Sequence, residues 1–270
     1  MWPTLMELGG VAIPSYRVCL LAAVVVITAG VLWESQRKLA PHRLTWEVGV
    51  YGYIGALLGA RLWFLGQSGE WGRVWSIFAV WEGGLSVYGG LLGGMAGTVI
   101  YLRSYRLPIL ATGDIAAPYL ALGQAVARVG CFLAGCCYGK PTTAFWAIRF
   151  PEGSVCYAHQ VNEGLVPPDA PWSLPVHPTQ LYMLVSLVAV FAVCRYLLAR
   201  KPFDGFVCGA YCVCYGLVRV VVDAFRADQP VNFWKINAGQ MLGLGLVLAG
   251  GLALILGTIR HRTKRREENK

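Results

Sequence analysis

LGQAVARVGCFLAGCCYGKPT, residues 122–142, leaves an apolar segment of helix length through Arg128. It then crosses glycines 130, 135 and 139 and cysteines 131, 136 and 137 before reaching Lys140. A cation, small residues and thiols thus meet at the end of a hydrophobic run. Such an arrangement suits a site that grips an anionic group while a bulky substrate approaches the backbone closely. The apolar run before Arg128 also sets the class of fold, because it is one of seven in the chain.

Working outward, the 270 residues are 56 % hydrophobic and only 14 % charged, with mean hydropathy +0.54. A soluble domain carries nearer a quarter of charged residues. The expectation is an all-α polytopic membrane protein. Ten Trp and thirteen Tyr suit many helix ends at the membrane interface. The net charge of +9 does not point to nucleic acid, because six basic residues (Arg260, Arg262, Lys264, Arg265, Arg266 and Lys270) follow directly on an apolar span. That is the pattern of a cytoplasmic anchor near anionic lipid. Residues 1–16 lack a basic region and the first apolar run ends in ESQRK (34–38), so the first span is expected to be retained rather than cleaved.

The predicted spans are about 16–33, 45–65, 85–102, 108–126, 179–198, 205–225 and 236–259, each near the roughly 20 residues a bilayer requires. With the N-terminus outside, fourteen basic residues fall on the inner side and six (Arg73, Arg128, Lys140, Arg149, Arg226 and Lys235) outside. The positive-inside rule favours that orientation. The long connection 127–178 is then a small, ordered, outward-facing head, proline-rich and with little regular structure, inserted in a single membrane domain of residues 1–270. Glycines at four-residue spacing (55 and 59; 89, 93 and 97) read as close helix packing. Gly89 and Gly90 follow the polar, aromatic stretch WEGGLSVY (81–88) and are also candidates for contact with substrate.

Charges at bilayer depth are costly unless paired or hydrated. Here they are Arg61, Asp114, Arg219 and Asp223, with Glu47 near an inner interface. Arg219 and Asp223 are spaced to pair on one helix, with Arg226 expected two turns beyond Arg219 on the same face. Arginines gathered toward the outer side call for an anion, and guanidinium forks match phosphate. A phospholipid headgroup is the phosphate available at that depth.

Nine cysteines and scattered histidines at 42, 159, 177 and 261 do not form a zinc framework, because no pair of CxxC motifs is present. No metal, nucleotide or haem cofactor is expected. Cys19, Cys194, Cys208, Cys212 and Cys214 read as small apolar residues within spans. Cys131, Cys136 and Cys137 read as packing, a structural disulfide or a nucleophile set. A bridge would join Cys131 or Cys156 rather than the adjacent pair. His177 is either a general base or a hydrogen-bonded anchor. Gln180 and Tyr182 are expected to line an interface or the site.

Five stretches in order, VWEGGLSVYGGLLGG (80–94), GDIAAPYLALGQAVARVGCFLAGCCYG (113–139), HPTQLY (177–182), GLVRVVVDAFR (216–226) and AGQML (238–242), resemble the bacterial prolipoprotein diacylglyceryl transferases. The resemblance covers most of the chain and implies seven spans with the N-terminus periplasmic and the C-terminus cytoplasmic, in the inner membrane. It further implies transfer of the diacylglyceryl group of phosphatidylglycerol to the lipobox cysteine thiol of a preprolipoprotein signal peptide, with release of glycerol phosphate.

The family's signature arginine matches Arg128, its second essential arginine Arg219, its signature glycine Gly139, its N-terminal tyrosine Tyr16, and the acidic residue after the second arginine Asp223. Two departures stand out. The family's SFHGG is SVYGG here, which puts Tyr88 in place of a histidine, and Cys131 stands for the signature's first asparagine. A phenol is a poor base at neutral pH. On this reading Arg128, Arg219 and Tyr88 are catalytic. Tyr16, Arg61, Gly89, Gly90, Cys131, Gly139, His177, Gln180, Tyr182, Asp223 and Arg226 contact substrate. The alternatives are the same lipid site with a different acceptor, or a carrier of anionic phospholipid that performs no chemistry; consumption of the lipid separates them.

Overall fold

A computed structural model describes residues 4–8, 11–39, 46–69, 84, 86–229 and 236–268. Most of the approach VWEGG (80–84), together with Arg43, Arg73, Lys235 and Lys270, lies outside the described residues. A short antiparallel hairpin comes first, β1 (Thr4–Leu8) paired with β2 (Val11–Pro14). Among the described residues the other regular elements are helices: α1 (Ser15–Lys38), α2 (Glu47–Ser68), α3 (Val87–Ser104), α4 (Ile109–Ala134), α5 (Val155–Asn162), α6 (Thr179–Leu198), α7 (Phe206–Asp223) and α8 (Ala238–Glu268).

Among the described residues, six of these eight helices are long and apolar enough to cross a membrane: α1, α2, α4, α6, α7 and α8. The chain is therefore a multi-pass membrane protein. The exception among the expected spans is α3, whose 18 residues include five glycines and Arg103. Its counterpart α2 lies against it in one compact unit, Gly30–Thr112. There the glycines do what their spacing predicts. A Cβ on Gly59, Gly89, Gly93 or Gly97 would run into the backbone or side chain of the facing helix, so the two helices touch along a stripe with no side chains between them.

The second unit comprises Met1–Ala29 and Gly113–Lys270. Helices α7 and α8 repeat the same device: the Gly216 carbonyl stands 2.8 Å from where a Cβ on Gly243 would be, and the Gly209 carbonyl 2.7 Å from one on Gly250. Ala125 of α4, Met183 and Leu187 of α6 and Val222 of α7 form the core of this unit, flanked by Tyr182, Tyr215 and Val218.

Asp114 is fully buried, as its place in an apolar span implied, and its partners give it a structural task. Its carboxylate accepts from the backbone N–H groups of Gly205 and Cys208 at 2.9 Å each and from Lys201 Nζ at 3.0 Å. A carboxylate from α4 thereby caps the N-terminus of α7, where the helix dipole favours negative charge.

One difference from the expected boundaries bears on the site. Helix α4 runs on to Ala134 instead of ending near 126, so Arg128 and Cys131 are helical. Gly130 does not break it: its missing side chain lets α1 approach, with Cys19 Cβ 2.7 Å and Tyr16 Cα 3.1 Å from where a Cβ would stand. Termination waits for Gly135, whose φ of +72° is left-handed.

Candidate active site

The C-terminus of α7 gathers the charges. Arg219 Nε lies 2.9 Å from Asp223 Oδ2, one turn along the helix. Helix α7 stops at Asp223, so Arg226 does not continue the Arg219 face. It folds back instead, placing Nη1 3.4 Å from Asp223 Oδ1 while Nε and Nη2 form a fork on Asp228 at 2.9 and 2.8 Å. Asp228 was absent from the sequence-based candidates.

The start of α8 completes this end. Asn237 and Gln240 bond each other's backbone N–H reciprocally, Gln240 N to Asn237 Oδ1 at 2.8 Å and Asn237 N to Gln240 Oε1 at 3.1 Å. This is a capping box built from Asn and Gln. Asn237 Nδ2 also donates to the Asp223 carbonyl at 3.1 Å. Gly239 then lies directly on the Arg219–Asp223 pair, since a Cβ there would overlap Asp223 Oδ2 and stand 2.7 Å from Arg219 Nη2. The motif AGQML therefore serves to seat an ion pair.

At the end of α4, Arg128 Nη1 approaches Cys131 Sγ at 3.9 Å. Among the described residues Arg128 makes no ion pair with a carboxylate. The thiols of Cys131, Cys136 and Cys137 lie within 4.8 Å of one another, and all nine cysteines are free. The Cys131 and Cys136 thiols, by hydrogen bonding, hold the Cys137 thiol well below its usual range; Arg226 and Arg128 act in the same direction and burial opposes them. Cys136 is held well above that range, chiefly by its hydrogen bonds to the other two. Tyr16, at the start of α1, is in electrostatic reach of Arg128 and of all three thiols.

Gly139 sits at a junction of three backbones. Its N–H donates to the His177 carbonyl at 3.0 Å, His177 N–H donates to Lys140 at 3.1 Å, and Lys140 N–H donates to Phe225 at 2.7 Å. A Cβ on Gly139 would stand 2.6 Å from both His177 Cβ and its carbonyl oxygen, and 3.0 Å from the Phe225 oxygen. The HPTQLY stretch closes on the same loop. Thr179 Oγ1 donates to the Cys137 carbonyl at 2.6 Å and Gln180 Nε2 to the Cys136 carbonyl at 2.8 Å. Gln180 and Thr179 are buried and position the thiol loop.

His177 takes the anchored arrangement: its Nδ1 is 3.1 Å from Tyr182 Oη, which accepts from Trp146 Nε1 at 2.6 Å, and its ring packs edge-on against Phe225. Lys140 Nζ donates to the Ala224 carbonyl at 2.8 Å. The connection after α4 holds one short helix and a small core. Ser154 caps α5 through Tyr157 N–H, and Tyr138, Phe150, Cys156 and Val176 form a small core. Burial pushes the Cys156 thiol up to about 12.

Tyr88, Gly89, Gly90 and Arg61 belong to the other unit. Tyr88 is in the first turn of α3 and exposed. Gly89 is filled by the α2 contact described above, whereas Gly90 keeps ordinary spacing of 3.5 Å to Ala56 and Ala60. Arg61 is buried on α2 with its guanidinium 5.6 Å from the Phe64 ring centre.

A family model for prolipoprotein diacylglyceryl transferase matches residues 3–256. The chain belongs to the prolipoprotein diacylglyceryl transferase family. Proteins named phosphatidylglycerol–prolipoprotein diacylglyceryl transferase from Gloeobacter violaceus and Sodalis glossinidius are similar to it, 29 % identical over 93 % of this chain and 91 % of the relative, and 30 % over 96 % and 94 %. One of the same name from Coxiella burnetii is 32 % identical over 76 % of this chain and 74 % of its own.

Within this member of the prolipoprotein diacylglyceryl transferase family, the second unit brings together Tyr16, Arg128, Cys131, Gly139, His177, Gln180, Tyr182, Arg219, Asp223 and Arg226. Sequence reasoning missed Thr179, Asp228, Asn237, Gly239 and Gln240. The reciprocal spacing of Asn237 and Gln240 was a readable capping signal. Asp228 gave no local sign of being the partner of Arg226.

Proposed function

We propose that the chain transfers the diacylglyceryl group of phosphatidylglycerol to the lipobox cysteine of a preprolipoprotein signal peptide. One observation carries this reading: Asp223 and Asp228 pair Arg219 and Arg226, whereas among the described residues Arg128 pairs with no carboxylate. Arg128 is left with a thiol neighbour, poised for an anion. A lipid phosphate supplies that anion, and Arg128 fixes it through charge-assisted hydrogen bonds.

In the reaction the acceptor thiol loses its proton and its sulfur attacks glycerol C3 of the lipid. A carbon–sulfur bond forms as the bond from C3 to the phosphate oxygen breaks, and glycerol phosphate departs with the electron pair. The cationic field that holds the phosphate also favours the thiolate. Arg219, fixed by Asp223, stabilises the charge on the leaving phosphate. Tyr16 lies along the substrate path, and Tyr88, Arg61 and Gly90 enter this reading through the sequence resemblance alone.

In the membrane the reading counts seven spans, with α3 added through its side-chain-free contact with α2. The N-terminus and the head at 127–178 are periplasmic, the basic C-terminus is cytoplasmic, and the chain is one domain of the inner membrane. The test is an assay of purified protein with phosphatidylglycerol and a lipobox peptide, reading the peptide's mass and glycerol phosphate together. A peptide heavier by one diacylglyceryl unit supports the reading. Intact lipid in the presence of folded protein overturns it.

A further inference from the structure

We propose that Cys131, Cys136 and Cys137 form a three-thiolate site for a soft, thiophilic metal ion, Cu(I) foremost. The three Sγ atoms lie within 4.8 Å of one another. A metal bound to three sulfurs at about 2.3 Å holds them roughly 4 Å apart, so small side-chain adjustments close the site. The C-x4-C-C spacing is not a CxxC pattern, which is why the sequence alone did not show it.

The scaffold presents the thiols together. Cys131 occupies the last turn of α4, and Gly135 turns the chain back so that Cys136 N–H donates to the Cys131 carbonyl at 3.1 Å. Cys137 adopts φ of +59°, a left-handed conformation unusual for a residue with a side chain. Such a conformation persists only where its surroundings impose it. Here they do so through Thr179 and Gln180, which bind the carbonyls of Cys137 and Cys136.

Ligand chemistry selects the ion. The group holds three sulfurs and neither carboxylate nor imidazole, a set that favours Cu(I) over harder ions. Binding releases the thiol protons to solvent, and three thiolates around a monovalent ion leave net negative charge. Arg128 and Arg226, the cations acting on Cys137, offset it. Cys131 is buried while the other two thiols are partly exposed, so an ion can enter. The site shares Arg128 with the proposed lipid chemistry, but metal binding is tested without it.

The experiment uses the full chain, purified in detergent under reductant, with all nine thiols first counted as free. Cu(I) alone is then offered in competition with a chromophoric Cu(I) chelator. One ion per chain and an X-ray absorption spectrum showing three sulfur neighbours are expected. Combined replacement of Cys131, Cys136 and Cys137 by Ser should abolish binding, while C208S/C212S, which removes the thiol pair one turn apart on α7, should retain it. Several results would overturn the site: no Cu(I) bound by the fully reduced protein, nitrogen or oxygen ligation, or binding that survives the triple replacement. The spectrum of the unaltered protein decides the matter even if the triple variant does not fold.

Discussion

Arg219 Nε lies 2.9 Å from Asp223 Oδ2, and neither atom completes a hydrogen bond with the other, so the pair is held by charge and by what packs on it. Asp223 has no exposed side-chain surface and Arg219 is 12 % exposed. Removing the carboxylate strands the Arg219 guanidinium, while Arg226 keeps Asp228. Asp223→Ala is expected to cost about 3–5 kcal/mol of stability, as for other broken buried pairs, read as a lowered Tm in detergent. Gly239→Ala should act on the same pair by overlap and lower lipidation with it. Unchanged Tm in both variants would contradict the seating of the pair.

Gly139 has no room for a side chain, because His177 and Phe225 already occupy the space. Gly139→Ala is expected to separate the loop of Cys136 and Cys137 from its supports and to reduce activity about 100-fold or more, as a displaced positioning element does. Thr179→Val, which removes one support of the same loop, should give a smaller loss of about tenfold. The checks are peptide lipidation and cleavage of the loop by limited proteolysis.

Asp114 is far more useful to stability than to chemistry. Its carboxylate satisfies two backbone N–H groups at the start of α7 and pairs with Lys201. Asp114→Ala leaves those donors buried and unpaired, and an expected cost of about 3 kcal/mol follows. Activity per folded molecule should stay unchanged. A loss of turnover without a loss of Tm would reverse this assignment.

Cys156 titrates only near about 12, since burial, with Asp228 adding to it, outweighs the Ser173 hydrogen bond. The native thiol should resist iodoacetamide at pH 8 while the denatured chain reacts. A raised thiol pKa also has a definite sign for stability. The unfolded thiol ionises near 8.5, so this group's contribution is complete below that pH and falls as pH rises toward about 12. Replacement by Ala or Val should flatten that part of the alkaline stability profile.

The sequence made legible what depends on local spacing. Glycines four apart marked the α2–α3 contact, and the four-residue offset of Arg219 and Asp223 marked their pairing. Where long-range packing decides, local reading failed. Gly130 is the point where α1 meets α4, and of glycines 130, 135 and 139 only Gly135 adopts the left-handed turn, which spacing did not announce. Arg226 left its expected helical face because α7 ends at Asp223 and Asp228 offers a bidentate partner. Gln180 binds a carbonyl 44 positions away, which no periodicity announces. Cys131, Cys136 and Cys137 were already grouped by sequence, but that their thiols converge follows only from the turn after α4 that brings Cys136 and Cys137 back beside Cys131.

The central claim is that Arg128, which pairs with no carboxylate among the described residues, holds the phosphate of the lipid. Its most direct test is glycerol phosphate release from phosphatidylglycerol, with a lipobox peptide as acceptor, by Arg128→Ala and Arg128→Lys. Loss of about 1000-fold in the alanine variant is expected, the scale on which electrostatic stabilisers of transition states act. The lysine variant should recover only part, because a point charge lacks the planar fork. Release within a few-fold of the unaltered protein in a folded alanine variant would contradict the account.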